Sequence, residues 1–311
     1  MPQPSVSQSV FSGVGRVLAV GDLHGNHDGL RRILLETGLI DGKGRWVAND
    51  THLVLMGDVL GRGGEPGKIF ALARRLEAEA PGRGSRVHLL LGNHEAMAIL
   101  GELRYNTLEE FRDLAAADWA MVPVETAPCA AHGGAETPEA KLGKRLDMLG
   151  ARDFRAALSP RGPVGAWLLD HASAVSINGT LFVHGGLNRD HGRMPLEELN
   201  SRVRAGLAAP GDEDRGAAMR RDGPQWNRDF TLRPAPGRGE ELEEVLDYHA
   251  CVRMVVGHTP TSCIAEGRAG RILPLYGGRM YCIDTGIGRA YGGHLSALSL
   301  ADGAPEPVYF G

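Results

Sequence analysis

Five short apolar runs in this chain each stop at a metal-binding type of residue, and that repetition limits the folds open to it. Residues 14–20 lead into Gly21-Asp22-Leu23-His24-Gly25, and residues 52–56 into Gly57-Asp58. Residues 87–91 lead into Gly92-Asn93-His94-Glu95, residues 177–183 into His184-Gly185-Gly186, and residues 251–256 into Gly257-His258-Thr259. A short apolar run bounded by glycine reads as a buried strand. Side chains just past the carboxyl ends of such strands share one crevice in open α/β sheets.

The segments between the runs complete an α/β pattern. Residues 28–37 carry Leu30, Ile33 and Leu34 at helical spacing, and residues 66–80 carry Ile69, Phe70, Leu72 and Leu76 on one stripe. Residues 14–95 therefore read as a βαβαβ unit. Residues 96–172 read as largely helical, with a looser stretch at 122–140. A Gly/Pro/Arg-rich stretch over 189–240 reads as loops around one or two helices. Strands are expected at 175–177 and 180–184, and three more at 251–256, 279–284 and 294–300. The expected organisation is a flexible leader over residues 1–13 and one domain over 14–311, with insertions near 96–172 and 189–250.

Composition excludes several classes. The 311 residues are 42% apolar and 23% charged, as in an ordinary globular protein. A net charge of −4 argues against a nucleic-acid partner. No apolar stretch is long enough to span a bilayer, and the first residues lack the charged start and apolar core of a secretion signal. The four cysteines have no CxxC spacing, so a reducing cytoplasm is expected, with Cys251 and Cys282 as buried thiols in strands.

Asp22 and His24 lie two apart and would face the same way in extended backbone. Asp58 offers two oxygens and could bridge two ions, Asn93 adds an amide oxygen, and His184 and His258 add imidazoles. The pattern assigns Asp22, His24 and Asp58 to one divalent cation and Asp58, Asn93, His184 and His258 to a second, about 3.5–4 Å away. Mixed N/O donors without thiolate suit Mn, with Fe or Zn as alternatives. The chain also holds a decoy: His132-Gly133-Gly134 follows no strand-like run and is expected in a loop, without a ligand role.

Taken together, the five segments, with Gly57-Asp58-Val59-Leu60-Gly61-Arg62-Gly63 in full, resemble the signature of the phosphoprotein phosphatases, a branch of the calcineurin-like metallophosphoesterases. Gly92-Asn93-His94-Glu95-Ala96-Met97 with Gly101-Glu102-Leu103-Arg104-Tyr105, and Gly223-Pro224-Gln225-Trp226-Asn227-Arg228, resemble its Shewanella-like bacterial subgroup. The resemblance spans about residues 14–290. It implies a four-layer α/β/β/α sandwich of two mixed sheets flanked by helices, and the same six ligand residues. It also implies a phosphorylated protein or small phosphate ester as substrate, attacked in line by a metal-bridging hydroxide. Pro260 stands where many broader metallophosphoesterases carry a second His, as expected for this branch. His94, next to a ligand, is the expected general acid, and Arg62 and Arg228 are the expected phosphate clamps, because guanidinium matches phosphate geometry.

The chain departs from the family at Gly61, where an Asp usually pairs with the acid His. Without that carboxylate His94 should be a weaker acid, unless Glu65 or another carboxylate substitutes. A phenol leaving group, with a pKa of about 10, needs less protonation than an alkoxide. The reading is therefore a phosphatase favouring phosphotyrosine or other aryl phosphates, in which Gly61→Asp should raise activity on alkyl phosphates more than on aryl ones. Tyr105, Trp226 and Tyr291 could contact an aromatic leaving group. Two alternatives compete. A symmetrical dinucleoside-tetraphosphate hydrolase also tends to lack that Asp, but typically differs at the positions of Glu95 and Gly185. A non-catalytic phosphopeptide-binding module is suggested only by Gly61.

Overall fold

Alternation along each apolar run decides which layer its side chains join. In the computed structural model, which describes residues 8–116, 150–208, 218–232, 235–301 and 303–311, strand β2 (Arg16–Val20) shows this directly. Its Leu18 and Val20 pack with Leu30 and Ile33 of helix α1 (His27–Glu36) and with Ile69 and Phe70 of α2 (Pro66–Glu79). Its Val17 and Ala19 point the other way, to Phe182, Val255 and Ile283 of a second sheet. In that sheet Val255 of β7 (Arg253–Val256) faces inward. Its neighbours Met254 and Val256 pack outward against Leu242, Val245 and Leu246 of a helix at Arg238–Tyr248. The result is four layers: helices, sheet, sheet, helices.

The first sheet has the order β11-β10-β2-β3-β4. Strands β2, β3 (Thr51–Leu55) and β4 (Arg86–Leu89) run parallel, joined by α1 and α2 as the expected βαβαβ unit. Strand β10 (Leu295–Ala301) lies antiparallel to β2 and carries β11 (Ala304–Phe310) at the edge. The second sheet has the order β1-β5-β6-β7-β9-β8. Here β6 (Thr180–Val183), β7 and β9 (Met280–Cys282) run parallel. A β5 (Ala174–Ile177) hairpin partner and two short strands, β1 (Val10–Phe11) and β8 (Leu273–Leu275), complete it.

Three elements differ from the sequence reading. Within the segment expected to be a leader, Val10 and Phe11 pair with Ser176 and Ile177, and Ser9 is buried; residues 1–7 lie outside the described residues. Strands β8 and β11 were not anticipated. Both are edge strands carrying prolines (Pro274; Pro305 and Pro307), residues that sheets confine to edges and that weaken a strand signal. The stretch at 122–140, with Cys129 and the His132 triplet, lies outside the described residues. Among the described residues no helix is long and apolar enough to cross a membrane.

Candidate functional site

Six parallel strands, three from each sheet, deliver side chains to one place. Asp22 and His24 follow β2, Asp58 follows β3, and Asn93 and His94 open helix α3 (Asn93–Ile99) beyond β4. His184 follows β6, His258 follows β7, and Asp284 follows β9. All eight side chains are buried or nearly so. Most of them line a cleft of about 260 Å³, shared with Arg62, Tyr105, Trp226, Arg228 and Tyr291. A larger hollow of about 450 Å³ beside β4, lined by Glu77, His88 and His171 among others, holds none of these strand-end residues.

Asp58 sits at the centre. Its Oδ1 is 3.3 Å from His184 Nε2, which is itself 3.2 Å from Asn93 Oδ1. Its Oδ2 lies 3.9 Å from His24 Nε2 and 3.8 Å from His94 Nε2. Each carboxylate oxygen thus faces a different group of donors, and Asp58 belongs both to a His24–His94 cluster and to a His184–His258 cluster. The rings are oriented from behind. His184 Nδ1 donates to Met56 O at 2.7 Å, and His24 Nδ1 donates to Leu60 O and Gly61 O at 3.0 and 3.1 Å. This leaves each Nε2 facing the cleft as the available ligand atom.

Asp22 and His24 converge by a turn, not by extended backbone as the sequence suggested. His24 has φ +40°, and Asp58, Arg62 and His258 also lie at positive φ (+48°, +74° and +62°). Non-glycine residues rarely adopt this region, and such backbone clusters at functional sites. The Asp22 carboxylate accepts the His258 amide at 3.1 and 3.0 Å, tying the two sheets together. Gly257 permits that approach, because a Cβ there would fall 2.2 Å from Asp22 Oδ1.

The electrostatics are those of a cation site. Burial, and then Asp284, raise the Asp22 carboxyl well above its usual range; burial, with Asp58 nearby, pushes Asp284 up to about 7. Burial also opposes charge on Asp58, but the charged imidazole of His184 beside it holds it well below the usual carboxylate range. Burial opposes charge on His184 too, yet Asp58 and Asp22 carry its imidazole up to about 10. Burial lowers His24, His94 (to about 4) and His258, so these rings are neutral near pH 7. Clustered, mutually repelling buried carboxylates beside neutral imidazoles, without thiolate, are a donor set that fits divalent metal ions.

Arg62 and Arg228 flank the cleft differently. Arg62 is exposed and lies over the Tyr105 ring at 4.3 Å. Arg228 is half-buried, and its Nε donates to His258 Nε2 at 3.0 Å. Tyr291 lies tilted against His24 and Tyr105 against His94, while Trp226 is edge-on to His258. Glu65 does not replace the missing carboxylate: it pairs with Lys68.

Three residues escaped the sequence reading. Asp284 ends the run Met280–Ile283, the same signal that marked the other five strands. Glu95, fully buried, accepts the amides of Asp58, Val59, Leu60 and Gly92 at 2.8–3.0 Å; its place three residues after Gly92, in the first turn of a helix, was the available hint. Glu110, on helix α4 (Leu108–Ala116), accepts the amides of Gly61 and Gly63, and nothing local announces it.

Comparison with known proteins agrees with this geometry. A family profile described as calcineurin-like phosphoesterase matches residues 15–262. The chain is 34% identical over 272 residues to Shewanella-like protein phosphatase 2 of Arabidopsis thaliana, covering 83% of this chain and 69% of that protein. It is 26% identical over 257 residues to Shewanella-like protein phosphatase 1 of Plasmodium berghei, covering 79% and 61%. Among solved structures, the cold-active protein-tyrosine phosphatase of a psychrophilic Shewanella superposes with a TM-score of 0.73 at 22% identity, over 99% of this chain and 82% of that one. A protein serine/threonine phosphatase from Saccharomyces cerevisiae gives 0.58 at 15% identity, over 98% and 84%. At these identities the structural likeness concerns the fold.

Proposed function

Because the chain belongs to the calcineurin-like phosphoesterase family, among the Shewanella-like protein phosphatases, we propose that it is a dimetal phosphomonoesterase of phosphorylated proteins that turns over phosphotyrosine faster than phosphoserine or phosphothreonine. The observation that carries the reading is Asp58, with one oxygen toward His24 and the other toward His184, which in turn meets Asn93. On this reading Asp22, His24 and Asp58 hold one ion, and Asp58, Asn93, His184 and His258 the other. When bound, such a pair of cations supplies Lewis acidity toward the phosphoryl oxygens and an activated water. The donor set suits Mn, Fe or Zn, and Mn is the ion we propose.

The protein's own side chains do the rest. Arg62 receives the phosphate from the solvent side of the cleft. Arg228 is a second clamp. The lone pair of His258 Nε2 can serve Arg228 or an ion but not both, so ligation through that atom would release the guanidinium toward substrate. His94 faces the leaving group. Its ring is neutral near pH 7 and has no carboxylate within ion-pair reach, among the described residues, except Asp58 itself. It is therefore a poor proton donor, which handicaps an alkoxide leaving group more than a phenolate. The two structural neighbours, one a tyrosine and one a serine/threonine phosphatase, do not decide the preference; the His94 environment supports it. Free thiols among the described residues, at Cys251, Cys263 and Cys282, suit the cytoplasmic location that completes the proposal.

The test is phosphate release, with Mn added, from matched phosphotyrosine and phosphoserine peptides and from diadenosine tetraphosphate. Faster phosphotyrosine turnover is expected. Faster phosphoserine turnover overturns the preference, and cleavage of the dinucleotide alone would favour the alternative hydrolase.

A further inference from the structure

Arg62 occupies an improbable piece of backbone. Gly61, Arg62 and Gly63 have φ of +81°, +74° and +112° in succession, and an arginine is disfavoured in the middle of such a run. What holds the loop comes from elsewhere in the sequence. The fully buried Glu110 accepts the Gly61 amide on Oε2 at 3.0 Å and the Gly63 amide on Oε1 at 2.7 Å, so one carboxylate spans the two peptides on either side of Arg62. Asn106 Nδ2 donates to the same Oε2 at 2.6 Å. The Arg62 amide itself donates to Tyr105 O at 2.9 Å, and its guanidinium rests over the Tyr105 ring. All the amides of the 61–63 turn are therefore bonded to residues 105–110. Upstream in the same loop, the carbonyls of Leu60 and Gly61 receive His24 Nδ1.

We propose that Glu110 is a positioning residue for phosphate recognition, fixing the 61–63 turn so that Arg62 is aimed at the cleft. This rests on the reading of Arg62 as a phosphate clamp. The carboxylate is specific to the task. Two amide N–H groups converge on one side chain, which needs two acceptor atoms. A glutamine offers one oxygen and turns an NH2 group toward the second amide. The departure at Gly61 thus has a counterpart: a carboxylate reaches this loop from α4, and it binds backbone amides where the usual family residue would address the His94 ring.

The experiment is a double-mutant cycle on the metal-replete enzyme with Arg62→Ala, Glu110→Gln and Glu110→Ala, reading kcat/KM, the inhibition constant of inorganic phosphate, the urea midpoint, and hydrogen exchange across residues 57–64. Glu110→Ala is expected to lower kcat/KM by roughly 10- to 100-fold and weaken phosphate inhibition, with Glu110→Gln between it and wild type. In the Arg62→Ala background, Glu110→Ala should cost little more, because its effect passes through that arginine. Amide exchange in 57–64 should accelerate in Glu110→Ala and partly recover in Glu110→Gln, with or without metal. Losses that multiply with Arg62→Ala overturn the positioning role while leaving the clamp reading intact, as does a loss that merely follows the urea midpoint. An Arg62→Ala enzyme with unchanged kcat/KM and phosphate inhibition removes the clamp reading, and the role of Glu110 with it.

Discussion

A Cβ on Gly61 would lie 2.0 Å from Nδ1 of His94, so the imidazole occupies the space that a side chain at position 61 would need. The family carboxylate is thus not simply missing; the ring has taken its place. This argues against the sequence expectation that Gly61→Asp would raise activity on alkyl phosphates more than on aryl ones. The new side chain would displace His94 and would sit at φ +81°, where a Cβ is strained. Gly61→Asp is expected to lower kcat/KM on both aryl and alkyl phosphates, by about tenfold or more. Parallel kinetics on p-nitrophenyl phosphate and a phosphoserine peptide check it; a gain on the serine substrate would show that the ring moves aside without loss.

Glu95 holds the Asp58 loop. Its carboxylate takes four backbone amides from buried surroundings, so a single acceptor oxygen cannot replace it. Glu95→Gln would leave at least one buried N–H without a partner and is expected to cost about 2–4 kcal/mol of stability. Urea unfolding of the two proteins, compared at one metal concentration, measures this directly.

Much of the site was legible because each proposed ligand follows a strand and the strand announces itself locally. Asp22, Asp58, Asn93, His184 and His258 all follow apolar runs that pack as expected. Asp284 carried the same signal but has no glycine on either side of it. Glu110 was not legible, since its partners are 47 and 49 residues away in sequence and it sits in an ordinary amphipathic helix. The clash at Gly61 was not legible either, because it depends on where α3 places a ring. Sequence periodicity reports which face of an element is buried, but not which distant side chain meets a given amide.

Asp284 gives a prediction about metal binding that does not depend on turnover. Burial pushes its carboxyl up to about 7, and the neighbouring Asp22 and Asp58 gain from any change that removes its charge. In the metal-free protein the folded state holds this proton more tightly than the unfolded chain does. Its contribution to stability should therefore decline as pH rises from about 4 through 7. Mn should restore it by binding the folded state. Asp284→Asn removes the repulsion, so the chelated variant should melt higher than chelated wild type. It should also bind Mn about 10- to 100-fold more weakly. Thermal unfolding across a Mn titration separates the two effects, and a variant with wild-type Mn dependence would place Asp284 outside the metal's influence.

A second pair of titrating groups lies away from the cleft. His88 Nε2 and His52 Nδ1 are 3.0 Å apart in the first sheet, with Phe11 edge-on to both rings. One ring must donate and the other accept, which requires at least one neutral imidazole. Burial pushes His52 down to about 4, with Arg86 adding to it, and burial also lowers His88 well below its usual value. The unfolded chain would take up these protons at the ordinary imidazole pKa, near 6.5, and the folded protein would not. Their contribution to stability is thus complete above pH 6.5 and is lost as pH falls from 6.5 toward 4. His52→Gln keeps a hydrogen-bonding side chain without the titration and is expected to flatten the decline by about one proton. Urea midpoints for wild type and variant at pH 7, 6 and 5 report the difference, and superimposable pH profiles would show that the pair titrates alike in both states.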